Sequence, residues 1–548
     1  MPLVALLLIA AVPAAAEPPR DMGQLEFRVS GSPQCQQAFT AGMLALHSFM
    51  YEEAHEQFAR ADPGCAMARW GDAMSFSHGL WGEEEPRRAQ AALAQVVGEE
   101  KLPPLERDYL RAARALWGTG TADERHRAWL AEAARMHREH PGDDEVALQH
   151  ALALMTAEYG NVRSQMEAGA IALDVFARRP RHPGAAHYVI HAFDSPDHAI
   201  LALPAARAYA RIAPAAQHAL HMPSHTFVQL GMWADVAASN EASWAADEAD
   251  AKRRKTALDR RNWHSYSWLA AAYAELGQRK KAERLLQDLA RWMAKEDGPE
   301  ARYGYSSIAG VLLRDGHHWG EAQALAAPLL TPLPLDDGEA QGSLGCAMHA
   351  PGGAGKTRPP FGLLAHLRGL EMLNEAAMRR GDEAEVRKNL DARHAFYAAF
   401  APFKTPVERF SRADDAYRAG ARAYALKTPE AFGAAIAAFK ALAAVEETSA
   451  RTGPLGPAFD PLAREELAGL ELAAGQPREA LADFDKVLDG HPMLSRSLLG
   501  AARAARAAGD AAAARARYSR LLALWSHADP DLPDLREVRT AVEVASAR

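Results

Sequence analysis

The chain has 548 residues, 49% hydrophobic and 24% charged, which is more than one ordinary domain and far too apolar for wholesale disorder. Its 70 acidic residues outnumber 62 basic ones, for a net charge of −8, and no stretch has the basic density that a nucleic-acid backbone demands. Three cysteines exclude a disulfide framework and any Cys-rich zinc or iron–sulfur module, whereas the 22 histidines stand out.

Residues 3–12, L-V-A-L-L-L-I-A-A-V, form an unbroken apolar run followed by Pro13 and three alanines. A run this short is below the roughly 20 residues of a membrane span, and its small-residue end reads as a cleavable signal peptide over 1–16. The expectation is a periplasmic or secreted protein with no transmembrane segment in the mature chain. In an oxidising compartment Cys35 and Cys65, 30 positions apart, can pair, leaving Cys346 unpaired.

From there on, apolar residues recur at three- and four-residue steps, and runs rich in Val, Ile and Thr are absent. This predicts an all-α protein of helices about a dozen residues long. The stretch 41–63 has Gly42, Ala54 and Phe58 at the spacing of a helix hairpin, and 263–289 repeats the pattern with Leu269, Ala270, Tyr273, Gly277 and Ala282. Near the C-terminus, 462–492 aligns with 496–527: Ala468 on Ala502, Gly475 on Gly509, Ala480 on Ala514, Phe484 on Tyr518 and Leu488 on Leu522, always 34 apart. Small residues where two helices cross, a glycine at the turn and an aromatic on the second helix make up this unit. It resembles the tetratricopeptide repeat (TPR), and the resemblance implies an α-solenoid of antiparallel hairpins with a concave groove.

Residues 331–360 are dense in Gly and Pro and lack periodicity, so they read as a loop or linker between an N-terminal array (21–330) and a C-terminal array (361–548). Within them G-G-A-G-K-T (352–357) lacks the full spacing of a phosphate-binding loop and follows no strand. Cys346, Met348 and His349 place soft ligands close together, most simply as an incidental loop.

Six histidines fall between 187 and 225. His187 and His191 are four apart and Asp194 three further on, which on a helix is one stripe. Ser195, Pro196 and Asp197 predict a new helix start, with His198 in its first turn. His218, His221 and His225 form another stripe, interrupted by Pro223, which should kink or restart the helix. His264 opens the next repeat. Registered on the TPR pattern, these positions of first helices imply imidazoles from neighbouring repeats facing one cavity. Clustered imidazoles repel when protonated and need partners when neutral, and a metal ion satisfies both constraints. A metal-free polar groove and a structural hydrogen-bond network are the other readings. Without thiolates, Zn or Cu is favoured by ligand type, with Fe or Mn also compatible. His47, His55 and His78 are read as surface or packing residues, and the tryptophans at 70, 81, 233, 244, 263 and 268 as repeat packing.

The segments 182–194 (H-P-G-A-A-H-Y-V-I-H-A-F-D), 218–233 (H-A-L-H-M-P-S-H-T-F-V-Q-L-G-M-W) and 65–74 (C-A-M-A-R-W-G-D-A-M) resemble a functionally uncharacterised group of exported bacterial TPR proteins. That resemblance implies no activity. The sequence therefore points to an exported binding or assembly protein whose His-lined groove holds a metal and takes a protein, a peptide or a small ligand. The rival is a metalloenzyme, hydrolytic or redox, with the same histidines and Asp194 as an acid or base.

Overall fold

The structure is a computed structural model that describes residues 21–315, 318–331, 360–400, 407–449 and 456–546. The expected signal peptide lies outside the described residues. So does nearly all of 331–360, with Cys346, Met348, His349 and the G-G-A-G-K-T stretch. What is described is an all-α, TPR-like solenoid in which each helix packs chiefly on its neighbours in sequence. Among the described residues, sheet is confined to one two-residue antiparallel ladder, Ser77–His78 with Glu83–Glu84.

The 34-residue pair shows how the hairpins are built. Helices Ala463–Ala473 and Pro477–Gly490 form one unit, Ser495–Ala507 and Ala511–Leu524 the next. The intervening glycines Gly475 and Gly509 take φ of +76° and +84°, a left-handed conformation that side chains resist. The following N–H groups, of Gln476 and Asp510, then bond back to Glu471 O and Ala505 O at 2.9 and 3.0 Å and close each helix end. The aromatic ring of the second helix lies directly on a small residue of a first helix. Phe484 fills the place a Cβ on Gly500 would take, and Phe58 is wedged against both Gly42 and Gly71. Ridges of this height leave no space for a larger residue at those glycines.

The solenoid curls far enough for its C-terminal hairpins to meet earlier turns. Trp525 Nε1 donates to Glu275 O (3.1 Å), Asp529 N to Gly277 O (2.9 Å) and Trp233 Nε1 to Met493 O (3.1 Å). Helices Trp263–Glu275 and Pro299–Asp315 are consequently buried on nearly every face, which explains their unpatterned hydrophobicity. Helix Phe361–Arg380 packs on Pro299–Asp315 and Ala322–Leu330, and Phe361, Ala365, Met372 and Ala376 share a core with residues of the N-terminal array. Packing therefore runs continuously across the segment 331–360. No helix among the described residues is long and apolar enough to cross a membrane.

At the N-terminal end Cys35 and Cys65 are joined as a disulfide, Cα to Cα 5.5 Å, tying helix Pro33–His47 to the start of helix Ala66–Met74. A bridge over a separation of 30 residues restricts the unfolded chain by about 3–4 kcal/mol in the chain-entropy picture. Replacing both cysteines by serine is expected to lower local stability there by that amount. Native-state amide exchange reads this as lost protection in the two helices, and unchanged protection would show that packing alone holds them.

Candidate metal centre

Four helices bring the histidines together, and local sequence sets each one. His182 caps helix Pro183–Ala192, its Nδ1 accepting from Ala185 N at 3.2 Å, with Pro183 in the first position where no N–H is needed. His187 and His191 then share a face. Helix Gln217–His221 stops at Met222 and restarts as Pro223–Gln229, the break expected from Pro223, yet His218, His221 and His225 stay on one side. Asn262 caps helix Trp263–Glu275 by accepting from Ser265 N at 3.1 Å, which sets His264 in its first turn.

The imidazoles gather as two adjacent sets of three. His187, His191 and His218 form one, and His221, His225 and His264 the other; in each set one ring nitrogen per residue lies within 4.8 Å of the other two. The sets abut, with His218 and His221 rings 6.3 Å apart and His191 and His225 rings 6.4 Å apart. All are buried except His191, which is partly so. The imidazoles therefore occupy the interior of the solenoid rather than an open face.

Two of the sequence-derived positions stand elsewhere. Helix Pro183–Ala192 ends before Asp194, so that residue leaves the stripe: its Oδ2 accepts from His225 Nδ1 (2.7 Å) and its Oδ1 from Gln229 Nε2 (3.1 Å). Asp194 thus stands behind a histidine and not among the ligand atoms. The next helix starts at Ala199, not at Pro196, because residues 195–198 form a turn in which Ser195 Oγ meets His198 Nδ1 at 2.9 Å; His198 belongs to neither set.

Acceptors behind the rings fix which nitrogen carries the proton. Asn240 Nδ2 donates to Val236 O (2.8 Å), so its Oδ1 faces His221 and accepts from Nδ1 at 2.6 Å. His187 Nδ1 donates to the backbone carbonyl of His47 at 2.7 Å, which leaves its Nε2 as a lone pair with no hydrogen-bond partner among the described residues. His218 Nε2 likewise has none. With Nδ1 of both His221 and His225 engaged by Asn240 and Asp194, their Nε2 atoms face each other at 3.1 Å. Burial favours the neutral form of three of these imidazoles, lowering the pKa of His187 and of His221 to about 3 and that of His218 well below its usual 6.5.

A third trio shows what a satisfied cluster looks like. Glu145 accepts from His47 Nε2 and His182 Nε2, each at 2.9 Å, while His47 Nδ1 accepts from the Tyr188 hydroxyl at 3.1 Å. Burial raises the Glu145 carboxyl, but its two imidazole partners outweigh that and hold it below the ordinary range. Every polar atom of this trio has a partner, so it needs no ion. His47, read from sequence as a surface or packing residue, is buried here, and its own carbonyl orients His187. Sequence reasoning missed Glu145, Asn240 and this carbonyl, because their contacts with the histidines are made across the fold. The one available signal was His182, at the head of the His187 helix.

Aromatic rings wall both sets. Trp268 lies 4.6 Å from His225, 5.0 Å from His264 and 5.1 Å from His221. Phe49 lies 4.3, 5.4 and 5.8 Å from His187, His191 and His218. Phe49 occupies the left-handed position of the cap that ends helix Pro33–His47, at φ +51°, with Phe49 N bonded to Leu46 O and Met50 N to Ala45 O. Glycine is the usual residue there, and a bulky side chain costs on the order of 1–2 kcal/mol.

No protein-family model matches the chain, and no curated protein is similar to it in sequence. Among solved structures, a human IFIT1 dimer with m7Gppp-AAAA is 11% identical with a TM-score of 0.35, covering 90% of this chain and 91% of that one. The Naa15/Naa10 structure bound to HypK-THB is 15% identical with a TM-score of 0.26, covering 76% of this chain and 64% of that one. Scores of this size assign no ligand and no activity to the chain.

Two outcomes follow from the geometry. Unfolded imidazoles titrate near 6.5 and the buried ones near 3, so between those values the unfolded state binds more protons and stability rises with pH. In metal-stripped protein the contribution of His187 and His221 should be complete above pH 6.5 and fall away as pH drops toward 3, read as amide-exchange protection of helices Pro183–Ala192 and Gln217–His221 after correction for intrinsic exchange. Unchanged local protection between pH 7 and 5 would contradict neutral, buried imidazoles there. Phe49→Gly relieves the left-handed strain but deletes a buried ring, a loss of about 3–5 kcal/mol, so net destabilisation of roughly 2 kcal/mol is expected in urea. Stabilisation instead would show that the ring contacts count for little.

Proposed function

We propose that the chain is an exported TPR-like binding protein that holds a divalent transition metal among His187, His191, His218, His221, His225 and His264. The observation that carries this reading is the gathering of the six imidazoles as two adjacent sets of three, in each of which one ring nitrogen per residue lies within 4.8 Å of the other two. Imidazole nitrogens about 2.0–2.1 Å from one tetrahedral ion are roughly 3.4 Å from each other, close to the 3.1 Å between His221 Nε2 and His225 Nε2, so a cation fits between them with little rearrangement. Second-sphere acceptors of this kind, Asn240, Asp194 and a backbone carbonyl, are what orient metal-bound histidines. An all-imidazole set favours Zn²⁺ or Cu²⁺.

Export is supported by the apolar run at 3–12 followed by alanines, by the resemblance to exported bacterial TPR proteins, and by the Cys35–Cys65 bond, a linkage that persists in oxidising compartments. The solenoid supports a binding or assembly role, since stacked hairpins present long continuous surfaces to a protein or peptide. A metalloenzyme is the second reading, favoured by one feature: three imidazoles leave a position open on a four-coordinate ion. Asp194 would not be its base, being taken up by His225 and Gln229.

The test is metal content of mature protein reconstituted with zinc or copper at neutral pH and then desalted. Wild type should retain metal, and His221→Ala/His225→Ala should lose what its set holds. Asn240→Ala should weaken affinity about 10–100-fold, as loss of a second-sphere partner does. Wild type that retains nothing after either reconstitution would leave a metal-free polar interior as the better account.

A further inference from the structure

The two histidine sets are copies of one device. His187 and His221 are 34 positions apart, and so are His191 and His225, which is the TPR period itself. In each copy two histidines four apart come from one face of a first-helix segment, and the third, His218 or His264, comes from the following one. Each copy has its own aromatic wall, Phe49 for one and Trp268 for the other. Each also has a neutral or backbone acceptor behind a ring, His47 O or Asn240 Oδ1. Consecutive repeats therefore present similar three-histidine sets to the same interior space, the paired histidines 34 apart and the third members, His218 and His264, 46 apart.

We propose that the two sets form a single binuclear centre, holding two divalent transition ions with one small solvent-derived anion, such as hydroxide, between them. This rests on the metal reading above and deepens it. The sets are too close to act as strangers: ring separations of 6.3 and 6.4 Å between them equal the 6.4 Å between His191 and His218 within one set. His218 and His221 are one turn apart on the same short helix, Gln217–His221, so a change at one ion is transmitted to the other through that turn. Charge then dictates the bridge. All six ligands are imidazoles, and Asp194 reaches His225 Nδ1 rather than the ligand side. Two dications on neutral ligands in a buried site repel strongly, and an anion shared between them offsets that while filling the position each three-histidine set leaves open. Two-metal sites with ions about 3.5–4 Å apart use this arrangement to clamp an oxygen ligand.

The experiment is copper stoichiometry of the full mature chain, stripped and reloaded with Cu²⁺, combined with electron paramagnetic resonance. Two ions per chain are expected, with a spin signal well below that of two isolated cupric ions because the bridge couples them. Replacing one set, by His187→Ala/His191→Ala or by His221→Ala/His264→Ala, should leave one ion with a full isolated-copper signal. Should a variant fail to fold, the wild-type stoichiometry and signal decide alone. One ion per wild-type chain overturns the binuclear centre and leaves the metal reading standing. Two ions whose signal integrates to two isolated spins overturns the shared bridge. No bound copper, with no zinc retained on reconstitution either, removes both readings together.

Discussion

Six imidazoles are packed together in the interior, three of them, His187, His218 and His221, where burial strongly disfavours a proton, and much of the N-terminal half is arranged around that constraint. Desolvation depresses His187, His218 and His221 far enough that their neutral forms dominate at any ordinary pH. A neutral imidazole still has one donor and one acceptor to satisfy. The fold engages Nδ1 of His187, His221 and His225 with the His47 carbonyl, Asn240 and Asp194, and brings the Nε2 atoms of His221 and His225 to 3.1 Å of each other. The nearby His47–Glu145–His182 trio, two imidazoles about a carboxylate, has a partner for every polar atom, with Tyr188 OH and Ala185 N on the outer ring nitrogens. The difference is the carboxylate. With one between the imidazoles the cluster is complete on its own hydrogen bonds; the six-histidine sets have no such carboxylate among their ligand atoms.

Much of this was legible in the sequence, for a physical reason. TPR hairpins are local: the glycine that closes a helix, the small residue under an aromatic and the aromatic itself lie within one period, so Gly475, Gly509 and Phe484 declare themselves without tertiary information. Histidines at i and i+4 on a helix face are equally local, and Pro223 marked its own helix break. Register along a solenoid then carried His264 next to His221, because successive first helices are neighbours.

What the sequence hid is everything made across the fold. The carbonyl of His47 meets a histidine 140 residues later, and Glu145 reaches back to His47 over 98. Asp194 was placed on a helical stripe because nothing local shows that the helix stops at Ala192, two residues short of it. The start at Ala199 was missed for a related reason: Ser195 and Pro196 carry the signature of a helix start, but here they build a turn that binds His198 instead. Burial was missed too. First helices of a TPR array ordinarily face a groove, and only the return of the C-terminal hairpins onto the turns at Gly231 and Gly277 covers helix Trp263–Glu275 on both sides.

Phe49 links the N-terminal hairpin to the centre in energetic terms. A helix end of this type is cheapest with glycine at its left-handed residue, and the chain uses glycine at Gly231, Gly277, Gly381, Gly475 and Gly509. At Phe49 it accepts strain instead and sets an aromatic ring against three histidines. The same short segment delivers the His47 carbonyl to His187 two residues earlier. Backbone strain persists only where the surroundings over-determine it, and here the surroundings include the rings of His187, His191 and His218. The first hairpin is therefore anchored twice, by the Cys35–Cys65 bridge at one end and by Phe49 and His47 at the other. Any ion that stiffens His187 and His191 must also stiffen this hairpin, which couples the interior chemistry to the shape of the surface the solenoid presents at its N-terminal end.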